Sequence, residues 1–285
     1  MEFKTINQLS AAFQEALSDI YPAEEIRNFV FFIMEYLLGY SKVDMLMKGE
    51  EELSAGTLGF CQDALGKLRQ HVPIQYILGE TEFYGLRFKV SNSVLIPRPE
   101  TEELVHWIIE EANAEPLSVL DIGTGTGCIP ITLKKNILGA QVEGWDISDE
   151  ALLMAKENAE LNQVKVAFYK QDALNIPEID QQFDVIVSNP PYVLNKEKVL
   201  MKQNVLDNEP HLALFVPDAE PLLFYKSISA FAIKNLKPGG KLYFEINEAY
   251  GKETVEMMEH LGFKNVELRK DLFDKYRMVR GVKLR

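Results

Sequence analysis

The chain has few of the residues that crosslink proteins or bind metals. Its 285 residues include two cysteines and four histidines. Cys61 and Cys128 stand far apart and match neither a disulfide framework nor a zinc spacing, and His71, His106, His211 and His260 are scattered. No metal site is expected. Long apolar runs are missing too: the longest, Phe29 to Leu38, is interrupted by Glu35 and is too short to span a bilayer. The opening MEFKTINQLS lacks the basic start and apolar stretch of a signal peptide, which points to the cytoplasm. Positive charge is in deficit. With 30 lysines and arginines against 43 acidic residues, the formal net charge is −13, which argues against a long nucleic-acid footprint while leaving room for a local basic patch.

What is present suits a folded globular protein. A hydrophobic share of 47% and this length allow one large domain or two modest ones with a buried core. Residues 1 to about 71 read as helical, with no convincing strand. Phe13 and Leu17 recur at helical spacing. Pro22 followed by Glu24 and Glu25 marks a second helix start, its acids near the positive end of the dipole. Ser54 is placed to cap a third helix, with Leu58, Cys61, Leu65 and Leu68 on one stripe. These stripes read as a small bundle packing on itself. Pro73 opens a connecting region, and Leu86, Phe88 and Val90 alternate around Gly85 as in a short hairpin. After Pro97 and Pro99, Thr101 and its acidic neighbours start a helix with an apolar stripe of Leu104, Val105, Ile108 and Ala112. The expected division is a helical domain over 1–72, a linker with a hairpin over 73–93, and a larger domain over 94–285.

From residue 117 strands and helices alternate. Strands are expected at 117–122, 141–145 (ending at Asp146), 164–169, 183–187 and 241–246, with a helix near 220–235. Lys237-Pro238-Gly239-Gly240 reads as a turn, and apolar runs near 264–269 and 277–283 form an antiparallel pair. This pattern specifies an α/β fold with a doubly wound, mostly parallel sheet, whose ligands lie at the strands' C-terminal ends.

The informative residues stand at those ends. Asp121-Ile122-Gly123-Thr124-Gly125-Thr126-Gly127 closes the first strand and opens a helix. Glycines let backbone approach a ligand, and the helix N-terminus behind them favours a negative group such as a carboxylate. A dinucleotide fingerprint needs a third glycine where Cys128 stands, and no Gly-Lys-Ser/Thr follows to make a phosphate loop. Asp146 is placed to accept from both hydroxyls of a ribose, and Asp172 from an adenine amino group. Either aspartate alone also reads as a turn residue. Glycine loop, Asp146 and Asp172 on three consecutive strands together indicate an adenosine-type cofactor without a pyrophosphate.

Asn189-Pro190-Pro191-Tyr192 follows the fourth of these strands. Asn and Pro are common turn formers, but that leaves the aromatic residue at a site-facing strand end unaccounted for. Methyl transfer from a sulfonium to an amide or exocyclic amine needs the nitrogen lone pair aimed at the methyl carbon, with its hydrogens held by acceptors. The Asn189 side-chain oxygen and the Pro190 carbonyl supply two acceptors, the prolines stiffen them in advance, and Tyr192 stacks on the flat group.

Together these residues resemble the HemK/PrmC-type peptide-chain release factor glutamine N5-methyltransferases over nearly the whole chain. Pro73-Ile74-Gln75-Tyr76-Ile77-Leu78-Gly79 resembles that family's linker, Ile96-Pro97-Arg98-Pro99-Glu100-Thr101-Glu102 its approach to the catalytic domain, and Glu209-Pro210 the Glu-Pro of the loop after the chemical motif. The resemblance implies a class I S-adenosylmethionine methyltransferase fold behind a helical substrate-recognition domain. Gly123, Thr124, Gly125, Thr126, Gly127, Asp146, Asp172, Ala173 and Asn189 would hold S-adenosyl-L-methionine. Asn189, Pro190, Pro191 and Tyr192 would hold and orient the glutamine of a Gly-Gly-Gln motif, with Glu209 beside them. Release factors are the implied partners, with no membrane and no direct nucleic-acid partner. The alternatives are an N-methyltransferase acting on an exocyclic amine of RNA or DNA, since Asn-Pro-Pro-Tyr is shared with such enzymes, and a cofactor-binding module without turnover. A nicotinamide dehydrogenase is disfavoured by Cys128.

Overall fold

The computed structural model describes residues 3–112 and 117–284. They form two compact units, one running to Gly79 and taking in Lys202–Asn208, the other comprising Glu80–Met201 and Glu209–Arg285. The division falls after Gly79, later than the residue 72 expected, because Ile74 is buried in the helical core and Ile77 and Leu78 pack against it.

The first unit contains α1 (Ile6–Leu17), α2 (Ala23–Leu38), α3 (Lys42–Met47), α4 (Ala55–Leu68) and α5 (Ile74–Leu78). Thr5 caps α1, and Ser54 caps α4 by accepting from Thr57 N at 3.1 Å. Phe13, Leu17, Ile26, Phe29, Ile33, Cys61 and Leu68 are buried together, joining α1, α2 and α4. The buried stripe of α4 runs through Thr57, Cys61, Ala64 and Leu68, while Leu58 and Leu65 are only partly covered. The short α3 and α5 carry too few apolar positions to betray a helical period.

In the second unit, β1 (Glu80–Phe83) and β2 (Leu86–Lys89) form the expected hairpin. There follow α6 (Pro99–Glu110), β3 (Ser118–Ile122), α7 (Cys128–Asn136), β4 (Gln141–Asp146), α8 (Asp149–Leu161), β5 (Ala167–Lys170), β6 (Phe183–Ser188) and the short β7 (Val193–Leu194). The helix α9 (Gln203–Asn208) belongs to the first unit, where Asn208 donates to the His71 carbonyl at 3.0 Å. Next come β8 (Phe215–Val216), α10 (Leu223–Asn235), β9 (Leu236–Glu245), α11 (Gly251–His260), β10 (Lys264–Lys270) and β11 (Tyr276–Val282). Helix α6 begins two residues before Thr101, with Pro99 in its first turn, where a missing N–H costs nothing. Strand β9 runs through the expected turn at Lys237–Gly240, with a register irregularity against β6. Strand β5 starts at Ala167, since Val164 and Val166 pack on the core from the preceding loop.

The main sheet has seven strands in the order β10-β11-β9-β6-β3-β4-β5. Neighbours from β9 to β5 are parallel, and β11 runs antiparallel to both β9 and β10. Alternation along the strands separates two cores. Val119, Val185 and Val187 meet α6 and α7 on one face, while Leu120, Ile186 and Leu242 meet α10 on the other. Because β3 pairs with β4 on one side and β6 on the other, the connections part at the C-terminal ends of these three strands, and a crevice opens there.

Candidate active site

That crevice is a cavity of about 280 Å³. Gly123, Gly125, Asp146, Asp172, Ala173, Asn189, Pro190 and Pro191 line it, with Pro210, Leu212 and Ala213 from the later loop. Of the residues singled out in the sequence, Thr124, Thr126, Gly127, Tyr192 and Glu209 stand behind this lining.

The glycine loop is tied to the end of β4. The N–H groups of Gly123 and Thr124 both donate to the Trp145 carbonyl, at 2.8 and 2.9 Å. Gly125 adopts φ +53°, which disfavours a side chain, and a Cβ there would meet only open space. Gly127 is constrained by packing as well: at φ +78°, its Cβ would lie 2.9 Å from Ile131 Cδ1 and 3.1 Å from Ala155 Cβ. Thr126 supports the loop from below, its hydroxyl accepting from Cys128 N and its carbonyl accepting from the Asn158 amide.

Asp146 accepts from Gly125 N at 2.8 Å through one oxygen and from Ser148 N at 2.9 Å through the other. Each oxygen keeps lone pairs for a further donor. Burial pushes its carboxyl up, and the backbone donors Ser148, Gly125 and Ile147 pull it partly back. Asp172 accepts from Leu174 N at 2.8 Å and from the Asn175 amide, so it is a turn residue that also lines the cavity. Asp121 was not singled out from the sequence, although an acid in the otherwise apolar strand β3 was the signal. It is fully buried, and neither oxygen has a hydrogen-bond partner. Burial foremost, with the Asp146 charge adding to it, pushes its carboxyl up to about 7, against the nearby Thr124 hydroxyl. An open glycine backbone, an orphaned buried carboxyl and a carboxylate with spare acceptor capacity fit a cofactor with ribose hydroxyls and a cationic end.

The Asn-Pro-Pro-Tyr segment leaves β6 at Ser188, whose hydroxyl donates to the Ile122 carbonyl at 2.6 Å. Asn189 Nδ2 donates to Thr101 Oγ1 at 3.2 Å. Thr101 in turn donates to Glu245 Oε2 at 2.6 Å, and the Tyr192 hydroxyl donates to Glu245 Oε1 at 3.0 Å. Glu245 closes β9 and is 1% exposed. The Tyr192 ring packs against the core around α10, and burial, with the Glu245 charge, pushes its hydroxyl well up. Tyr192 therefore anchors the segment through its hydroxyl and stands just behind the residues that line the cavity. Glu209, placed beside the substrate by resemblance, is buried: it accepts from Arg98 Nη2 at 2.6 Å and Ile96 N at 3.3 Å. It holds the Ile96–Arg98 stretch in place, and its neighbour Pro210 reaches the lining. Thr101, Glu245 and Arg98 are the residues whose roles the sequence did not disclose.

A seven-stranded sheet of this order, with β11 reversed and its glycine loop at the end of β3, is the class I S-adenosylmethionine-dependent methyltransferase fold. Its solved neighbours include a methyltransferase from Pyrococcus furiosus (TM-score 0.52, 20% identity, 71% of this chain and 91% of that one). The Methyltransferase small domain model matches residues 101–212, and the PrmC N-terminal domain model matches residues 7–79. The release factor glutamine methyltransferase of Flavobacterium psychrophilum is 47% identical over 96% of this chain and 98% of its own. That of Bacteroides thetaiotaomicron is 46% identical over 96% and 99%. The chain belongs to the release factor glutamine methyltransferase family.

Proposed function

We propose that this protein transfers a methyl group from S-adenosylmethionine to the side-chain amide nitrogen of the glutamine in the Gly-Gly-Gln motif of peptide-chain release factors. Family membership supports the reading, and one observation carries it: the Asn189 amide spends its N–H on Thr101, which leaves its oxygen as an acceptor at a residue that lines the cavity. A planar nitrogen needs that acceptor, because holding its hydrogens sets the direction of its lone pair.

The cofactor supplies an electrophilic methyl group on a sulfonium. Gly123 to Gly127 are assigned to its methionine end, Asp146 to its ribose hydroxyls, and Asp172 and Ala173 to its adenine. Asn189 and Pro190 hold the glutamine amide, Pro191 stiffens the loop, and Tyr192 and Glu209 fix the walls behind. No strong base is required, since positioning and fixed dipoles carry the effect. The helical unit is assigned to gripping the protein substrate. Leu46 and Met47 on α3 are 85% and 81% exposed, as suits a surface that meets another protein. Cytoplasm is the setting we infer, and no helix among the described residues is long and apolar enough to cross a membrane.

Incubation of the purified protein with methyl-labelled cofactor and either release factor or RNA tests the reading. Label in the release factor is the expected result; label in RNA alone would overturn it.

A further inference from the structure

The polar atoms behind the cavity form a chain whose proton directions can be counted. Glu245 is buried and meets two hydroxyl donors, Thr101 at 2.6 Å and Tyr192 at 3.0 Å. Burial pushes its carboxyl up, while the Thr101 and Tyr192 hydroxyls and the Arg277 charge pull it partly back; ionised, it offers only acceptors. A threonine hydroxyl has one hydrogen. Thr101 spends it on Glu245 and so presents only lone pairs to its other neighbour, Asn189. The neighbour must then offer its NH₂ group, as it does at 3.2 Å. Swapping the Asn189 oxygen and nitrogen would set two acceptors face to face.

We propose that Glu245, which does not line the cavity, is a positioning residue that sets which end of the Asn189 amide faces the substrate. Its instrument is the Thr101 hydroxyl. The assignment rests on the methyl-transfer reading above for its consequence, though not for its geometry. With Glu245 ionised, Thr101 donates backward, Asn189 donates to Thr101, and the Asn189 oxygen is left for the substrate's N–H. Without an acceptor at position 245, the buried Thr101 hydroxyl turns to its other hydrogen-bond partner, the Asn189 amide. The Asn189 amide then flips and shows the substrate two hydrogens where one acceptor is needed.

This produces a signature that a merely structural role does not. Glu245→Met removes the acceptor at similar volume, and it should lower kcat by roughly a hundredfold, the scale of losing one preorganised polar group. The KM for cofactor should stay within about twofold. Thr101→Val removes the donor that forces the flip, so the double variant Glu245→Met/Thr101→Val should be more active than Glu245→Met alone. Recovery of this kind is coupling of opposite sign to additive damage. A double variant equal to or worse than Glu245→Met would overturn the proposal, as would a Glu245→Met enzyme with kcat within about threefold of the parent.

Neutron diffraction on the unsubstituted protein, exchanged into heavy water, provides a readout that needs neither folding of a variant nor turnover. The expected result is deuterium on Thr101 Oγ1 directed at Glu245 and two deuterons on the Asn189 atom facing Thr101. Deuterium on Thr101 directed at Asn189 would overturn the proposal. Absence of methyl transfer to release factor would refute the functional reading alone, because these nuclear positions do not depend on the substrate.

Discussion

Arg98 and Glu209, far apart in the sequence, form an ion pair at 2.6 Å in which the Glu209 side chain has no exposure and Arg98 keeps 31%. The pair fastens the stretch before α6 to the loop that carries Pro210, Leu212 and Ala213 to the cavity wall. Glu209→Ala leaves the half-buried Arg98 guanidinium and the buried Ile96 N–H without their acceptor. We expect a loss of roughly 3 kcal/mol in unfolding free energy, the scale for removing one partner of a buried pair. Urea denaturation checks this, and a change below about 1 kcal/mol would contradict it.

A second anchor lies at the far end of α6. Glu111 accepts from Trp107 Nε1, Lys241, Tyr243 and Arg280 at 2.5–2.8 Å. Burial alone would raise its carboxyl, but hydrogen bonds from Arg280, Lys241, Tyr243 and Trp107 bring it down to about 2 from the ordinary 4.5. A carboxyl lowered by folding stabilises fully above its unfolded value, and that contribution disappears as pH falls through its folded value. Between pH 4.5 and 2 the protein should therefore lose about 2 kcal/mol through this group, after allowance for partial exposure. Glu111→Gln should be less stable at pH 7 and should show a shallower acid limb in thermal melts; an unchanged limb would contradict the assignment.

Asp121 has the opposite sign. Folded, it holds its proton up to about 7; unfolded, it loses it near 3.8. The native state then binds more protons between those values, so stability falls as pH rises across that interval. The Tm of cofactor-free protein should decline from pH 5 to pH 7.5, and Asp121→Asn should flatten that decline. Equal slopes in the two proteins would show that Asp121 titrates in its ordinary range.

The sheet was legible because its strands are apolar runs that stop at chemically distinctive residues: Asp121 before the glycine loop, Asp146, and Ser188 before Asn189. Periodicity found the long helices α1, α2 and α4, and missed α3 and α5, which span six and five residues. The site was legible only in its lining. Gly123, Gly125, Asp146 and Asn189 stand in motifs, so spacing alone drew attention to them. Glu245 ends an ordinary apolar strand and acquires its meaning from Thr101, a partner 144 residues earlier. No local pattern encodes that contact. The Tyr192 hydroxyl was illegible for a related reason: only the fold brings it the buried Glu245 side chain as a partner.

The central claim is that Asn189 holds the reacting amide of a release-factor glutamine. Mass spectrometry of the Gly-Gly-Gln peptide, from release factor co-expressed with this protein, tests it most directly. We predict one added methyl group on the glutamine, reduced with Asn189→Ala by the roughly 3–4 kcal/mol in barrier that one preorganised acceptor contributes. An unmethylated glutamine with the parent protein, or an activity loss below tenfold with a folded Asn189→Ala variant, would contradict it.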